Sequence, residues 1–218
     1  MEGKVLDAGC AGGFYSLLAA ERGTRNIVAL DSSTVCVQGA KINLLNMGLS
    51  IDAIIGDATR LPLQNECFDL VLCIDLIEHI WQDDLLLHEI SRVLRPQGKL
   101  LIATQNSSSI NYLVGSFVHR WVLKNRRWMG WDPTHARFYN FERLSKLLES
   151  SSLELVKVAS TYFVPYMQAN RLRPLSAKLS QALYLILKRI NDIPEKWGHR
   201  KPLKRHGWGI ICLALKRS

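Results

Sequence analysis

The sequence lacks the signatures of several large protein classes. No apolar run reaches the ~18 residues that a bilayer-spanning helix needs. The start of the chain reads as no secretory leader, because strand-like sequence begins within four residues of Met1. The five cysteines (Cys10, Cys36, Cys67, Cys73 and Cys212) form no C-x-x-C pair and no Cys/His cluster at metal-ligand spacing. That excludes a zinc ribbon and a disulfide framework. It points to a reduced, cytoplasmic setting with small buried thiols, and to no metal. Internal repeats and low-complexity runs are also missing from the sequence.

Acidic residues are scarce in one region only. Residues 161–218 hold 12 Lys/Arg and 2 Asp/Glu, a net of +10, so the whole-chain charge of +9 leaves residues 1–160 at −1. Such a tail implies an anionic partner, either a membrane surface or nucleic acid. Inside it, Pro174 suits a first helical position. Leu175, Leu179, Ala182, Ile186 and Ile190 recur at helical spacing, and a cationic run to His206 follows. Residues 161–206 therefore read as a basic amphipathic insertion. Two readings stand: a helix packed on the domain with a solvated basic loop, or an interfacial segment, 171–206, on an anionic membrane. The chain would then be membrane-peripheral. No RNA-binding module accompanies the charge, so nucleic acid is the weaker partner.

What the sequence does contain fits one folded domain of 218 residues, 48% hydrophobic and 22% charged. Short apolar runs at 4–8, 26–30, 51–56, 68–75 and 99–104 alternate with helical patterns at 12–22, about 34–47 and 82–94. Continuous apolarity suits parallel strands covered on both faces. A helix at 141–150, a strand at 153–158 and a last strand at 209–216, antiparallel to the sixth, complete the pattern. The expected fold is α/β: a Rossmann-like, seven-stranded, mostly parallel sheet with an antiparallel last strand and helices on both faces. Residues 105–140 break the rhythm with polar, aromatic and basic sequence and read as a lid or acceptor-side insertion. Ligands of such sheets bind beyond the carboxyl ends of the strands. Gly9, Asp31, Asp57, Asp75 and Thr104 all fall there.

The stretch Val5-Leu6-Asp7-Ala8-Gly9-Cys10-Ala11-Gly12-Gly13 reads as a buried strand, a small-residue turn and a helix start. Free N–H groups and the positive dipole end at that start suit a ligand that approaches closely. The spacing fails the dinucleotide fingerprint G-x-G-x-x-G. It resembles motif I of class I S-adenosylmethionine (SAM)-dependent methyltransferases, Asp/Glu-x-Gly-x-Gly-x-Gly, with Ala11 where the middle glycine is usual. Asn65-Glu66-Cys67-Phe68-Asp69-Leu70-Val71, Asp75-Leu76-Ile77-Glu78-His79-Ile80, and Arg92-Val93-Leu94-Arg95-Pro96-Gln97-Gly98 resemble further segments of the family. Pro133-Thr134-His135-Ala136-Arg137-Phe138-Tyr139 is similar to an acceptor-side segment of its type 11, ubiquinone/menaquinone-biosynthesis branch.

The resemblance implies transfer of a methyl group from SAM to a small-molecule or lipid-linked acceptor. It implies a cofactor site of Asp7, Gly9, Cys10, Ala11, Gly13, Asp31, Ser32, Asp57, Ala58 and Asp75. In the family the acid after strand two bonds both ribose hydroxyls and the later Asp accepts from the adenine amino group. Each residue also has a structural reading: Asp31 as a helix cap, Asp57 as a turn residue, Asp7 as a loop brace. His79 and His135 are the candidate catalytic bases if the acceptor nucleophile needs deprotonation. Trp121, Trp128 and Trp131 either stack on an acceptor or pack a lid, with packing preferred. Two departures stand out. Ala11 costs ~1 kcal/mol if its φ is positive, and the helices that usually precede strand one have no counterpart in this sequence, so either the sequence starts late or residues 105–139 supply the cover. These departures leave a second function open, a methyltransferase-like binding or scaffold protein without catalysis. An RNA methyltransferase is a third, favoured only by charge.

Overall fold

Strand β2 (Asn26–Asp31) shows how the sheet is built. Ile27, Val28, Ala29 and Leu30 are all buried, as a strand covered on both faces requires. β1 (Lys4–Ala8) and β4 (Phe68–Ile74) follow the same logic. In this computed structural model, residues 3–49, 51–126, 128, 130, 132–161 and 206–217 are described. Their seven strands form one sheet in the order β3-β2-β1-β4-β5-β7-β6, with β3 at Asp52–Ile55, β5 at Leu94–Gln105, β6 at Leu153–Ser160 and β7 at Gly209–Lys216. The β1–β5 pairs are parallel. β7 is antiparallel to β6: the Thr161 N–H meets Gly209 O at 3.0 Å, and the Arg217 N–H meets Ser152 O at 3.0 Å at the other end.

Register aligns the strand ends. Ala8 lies between Leu30 and Cys73, and Asp31 pairs with Ile55. The loops after β1, β2, β3 and β4 therefore open at one edge of the sheet. Helices α1 (Phe14–Glu21), α2 (Thr34–Asn46) and α3 (Asp83–Val93) make the crossovers. Ser33 caps α2 by accepting from the Cys36 N–H at 3.4 Å. α3 starts on Asp83 and Asp84 and ends on Arg92, as the helix dipole favours.

The largest departure from the sequence reading of the strands is at β5. Arg95-Pro96-Gln97-Gly98 was expected as a turn before a strand at 99–104. It lies inside β5 as an irregularity: Phe68 pairs with Leu94, but Leu70 pairs with Lys99. Gln97 takes φ 64°, and a Cβ on Gly98 would come within 2.8 Å of the Arg95 carbonyl, so only glycine fits this bulge.

The chain divides into two compact units. Unit 1 comprises Met1–Thr104, Glu142–Lys157 and Cys212–Ser218; unit 2 comprises Gln105–Phe141 and Val158–Ile211. Unit 1 contains β1–β4, α1–α3 and α5 (Phe141–Ser150) from Glu142 onward. Unit 2 contains a helix that sequence reading missed, α4 (Ile110–Phe117), which continues as a π-helical turn over Val118–Val122. Among the described residues, no helix is long and apolar enough to cross a membrane. The amphipathic segment expected at 171–206 lies outside the described residues, except His206.

Candidate functional site

The turn after β1 is held by backbone geometry. Gly9 takes φ 77° and Gly13 takes φ 82°. A Cβ on Gly9 would meet Leu76 Cδ1 at 2.9 Å, and one on Gly13 would meet Ala40 Cβ at 3.1 Å. Both glycines are thus required twice, by dihedral and by space. Ala11 sits at φ 45°, so the strain expected of an alanine in the left-handed region is present. The Gly9 and Cys10 N–H groups both donate to Leu30 O, at 2.8 and 2.9 Å, and Gly13 N–H donates to Cys10 O at 2.8 Å. Ala11 and Gly12 remain exposed at the crest of the turn.

Asp31 joins this turn to the next. Its Oδ2 accepts from the Ala11 N–H at 3.0 Å and its Oδ1 from the Ser33 N–H at 2.9 Å. A carboxylate has about four acceptor positions, so two bonds to backbone still leave each oxygen able to take a hydroxyl. The capping reading and the ligand reading are therefore compatible at this residue, although the N-cap of α2 is Ser33. Ser32, beside it, is exposed. The Gly56 N–H donates to Asp31 O at 3.0 Å, which brings the third loop alongside. There Asp57 forms an Asx turn, its Oδ1 accepting from both the N–H and the hydroxyl of Thr59 at 2.8 Å. Ala58 next to it is buried. Asp75, exposed at the end of β4 with φ 49°, completes the series.

Two predicted site residues are internal braces. Asp7 is 1% exposed and accepts the Ser16 hydroxyl at 2.6 Å. Burial pushes its carboxyl above the usual carboxylate range, and the Ser16 bond partly offsets that. Cys10 is buried, and desolvation raises its thiol to about 12, which makes it a packing residue and not a nucleophile.

After β4, a 3₁₀ turn at Ile77–His79 turns Glu78 inward and His79 outward. Glu78 is 1% exposed, and neither of its carboxylate oxygens has a hydrogen-bond partner among the described residues. Burial raises its carboxyl above the ordinary value. Among the described residues, no group of three or more His, Cys, Asp or Glu is arranged to hold a metal.

The other histidine belongs to unit 2. His135 is 7% exposed, its ring centroid lies 5.7 Å from that of Phe138, and its Nε2 stands 3.7 Å from Asp132 Oδ2. The tryptophans separate. Trp128 is buried, stacked on His119 with centroids 4.9 Å apart and 4° between planes, and 5.5 Å from Tyr112. Trp121 is exposed, and Trp131 lies outside the described residues. Packing is thus observed for Trp128 and not for Trp121. Sequence reading offered Ser32 or Ser33 as the cap of α2, and the cap is Ser33; it missed the roles of Ser16 and Tyr112. The Ser109 cap before the apolar residues 110–123 was the overlooked signal for α4; its hydroxyl accepts from the Tyr112 N–H at 3.1 Å.

A glycine-lined turn with an exposed crest stands beside carboxylates on neighbouring strand ends, at the carboxyl edge where doubly wound sheets take ligands. Residues 6–102 match the family model described as "Methyltransferase domain". Over those residues the chain is similar to this domain, and the similarity supports S-adenosylmethionine as the cofactor.

Among curated proteins the chain is similar to the ubiquinone biosynthesis O-methyltransferase of Idiomarina loihiensis, 29% identical over 167 residues, covering 74% of this chain and 66% of that protein. It is 30% identical over 157 residues to the one of Bartonella bacilliformis, covering 70% of this chain and 60% of that protein. The chain thus spans less than two thirds of the length of these relatives. Among solved structures, a SAM-dependent methyltransferase from Methanosarcina mazei matches at TM-score 0.65 and 16% identity, covering 99% of this chain and 93% of that one. The [4+2]-cyclase SpnF matches at TM-score 0.67 and 22% identity, covering 99% and 75%. Both likenesses concern the fold.

The donor set fits SAM. The positive-φ cradle leaves backbone exposed at Ala11 and Gly12, and acceptors stand at the ends of β2 and β3 for hydroxyl and amino groups.

Proposed function

We propose that the protein transfers the SAM methyl group to a small-molecule acceptor. The observation that carries this reading is the bonded array of the Gly9–Gly13 turn, Asp31 and the Gly56–Asp57 turn within the matched domain. In it, Asp31 takes the ribose hydroxyls, Asp57 and Ala58 the adenine, and Gly9, Cys10, Ala11, Gly13, Ser32 and Asp75 line the remainder. Asp7 acts through the turn that it braces. The two units together work as one methyltransferase domain.

SAM supplies an activated methyl group, so the protein's part is positioning and exclusion of water. An acceptor hydroxyl must lose its proton, and a histidine near neutrality suits that task. His79 and His135 are separate proposals because they lie in different units. The names of the relatives favour a quinone-type, lipid-linked acceptor and O-methylation; a lipid-linked acceptor would suit a cytoplasmic, membrane-peripheral protein. Isothermal titration with SAM and its demethylated product tests the array: micromolar binding is expected, and more than tenfold weaker binding for Asp31→Ala. Full turnover on a catechol acceptor by both His79→Ala and His135→Ala would remove the base assignment.

A second reading is a fold-preserving protein that binds without transferring methyl. The likeness to a cyclase, SpnF, favours it. SAM binding with no methyl transfer to any quinone precursor would support it.

A further inference from the structure

The amino edge of the sheet in unit 1 carries a cleft on the side away from the glycine turn. Lys4 opens β1 and pairs with Asn26, the first residue of β2, while Asp69 lies one residue into β4. With Gly3, Arg25 and Arg95 they line a cavity of about 360 Å³. The length of β1, about 13 Å at ~3.3 Å per residue, separates this cavity from the Gly9–Gly13 turn.

Charge sets the cleft apart. The carboxyl edge of the sheet has Asp31, Asp57 and Asp75, whereas the amino edge gathers Lys4, Arg25 and Arg95 around one acid. That acid is already satisfied. Asp69 Oδ1 accepts from Arg95 Nη1 at 2.6 Å, and its Oδ2 accepts from the Lys4 backbone N–H at 2.7 Å. Among the described residues, no carboxylate pairs with the side chain of Lys4 or Arg25. Lys4 Nζ stands over the Phe68 ring, 5.0 Å from its centroid, and Arg25 is exposed. The cleft therefore keeps two cations in excess.

The bulge in β5 gives the third cation its aim. Arg95 falls between the Leu94 and Lys99 pairings, and bulges re-aim side chains in this way. Its bond to Asp69 fixes the guanidinium, and the remaining donors form a fork that matches phosphate oxygens. Gly3 and Gly23 bring bare backbone to the wall, so a ligand can approach closely. Two arginine forks, a lysine point charge and room for a small molecule suit a phosphate-bearing ligand. A nucleic-acid strand would need a longer track of cations than one cleft.

We propose that this cleft binds the phosphate groups of a small molecule through Lys4, Arg25 and Arg95, at a site separate from the cofactor edge. The site does not depend on methyl transfer.

Isothermal titration of the full chain with inorganic diphosphate is the test, and a dissociation constant below ~1 mM is expected. Lys4→Gln and Arg25→Gln should each weaken binding about fivefold, and the double variant more than tenfold. Their unfolding temperatures without ligand should stay that of the wild type. Lys41→Gln, an exposed lysine on α2, should change nothing. Saturating demethylated product of SAM should leave the diphosphate affinity unchanged. ADP identifies the source of the phosphate. Equal affinity means that the phosphate groups alone are recognised, and tighter binding that the double variant loses means a nucleotide. The proposal fails if diphosphate does not bind at ~10 mM, or if Lys41→Gln weakens binding as much as Arg25→Gln does. It fails if the demethylated product competes with diphosphate. It also fails if single-stranded RNA binds and diphosphate does not displace it.

Discussion

In unit 1 the apolar residues of β1, β2 and β4 are buried, and polar groups at the strand ends pair with the nearest backbone. In unit 2, α4 packs the half-buried Tyr112 on Trp128 and Phe138 and stacks His119 on Trp128 while Phe117 and Trp121 stay outside. Both regions have regular hydrophobic periodicity. Period identifies which residues share a face, but it does not identify which face turns inward. In unit 1 the covering sheet decides that. In unit 2 an aromatic cluster decides it, and the side with Phe117 and Trp121 is left exposed.

Variants can break this contrast, and the largest effect is expected at Trp128. Trp128→Ala removes the ring on which His119 stacks and should cost about 3–5 kcal/mol, read by chemical unfolding. Next is Asp31→Ala, which leaves the Ala11 and Ser33 N–H groups without their acceptor. It should cost about 1–2 kcal/mol, with Asp31→Asn in between.

Ala11→Gly should stabilise the chain by about 1 kcal/mol, because φ 45° is strained for alanine and free for glycine. Glu78→Gln should also stabilise at pH 7, by more than the ~0.5 kcal/mol of ordinary surface changes. The sign follows from the raised carboxyl: burial makes the charged form costlier in the folded chain than in the unfolded one. Stability from this site is therefore present at pH below the ordinary glutamate range and lost as pH rises through the folded value. The advantage of the Gln variant should vanish at low pH in unfolding curves. Smallest is Phe117→Ser, which should lie within ~0.5 kcal/mol of wild type, because this side chain is 61% exposed.

Much of unit 1 was legible because its signals are local. Buried strands such as Asn26–Asp31 announce themselves by continuous apolarity, and the glycine turn by its small residues. The bulge in β5 was not, because Pro96 and Gly98 spell a turn whether or not the strand continues past them. The role of Asp7 was half legible. Its hydroxyl partner, Ser16, lies nine residues on, across the turn, and only the folded chain brings the two together. Asp31 could be placed at a strand end from sequence, but its bond to Ala11, 20 residues away, depends on the parallel register of β1 and β2. α4 was lost for a different reason. Residues 105–140 were read as a polar, aromatic and basic lid, and the apolar spacing from Leu113 to Trp121 went unrecognised among them.

The π-helical turn at Val118–Val122 makes this helix sensitive to length in a way that the rest of the fold is not. The Leu123 N–H reaches back five residues to Val118 O at 2.9 Å, so the turn holds one residue more than an α-turn. Removing one residue there, Val122 for instance, would restore the α-helical ladder. Everything beyond it would swing by about 100° around the axis. Lys124 and Arg126 would shift relative to the exposed Phe117 without any change of side-chain chemistry. Chains of this kind that differ by a single-residue gap at 118–122 can therefore keep the same composition and point these cations in another direction.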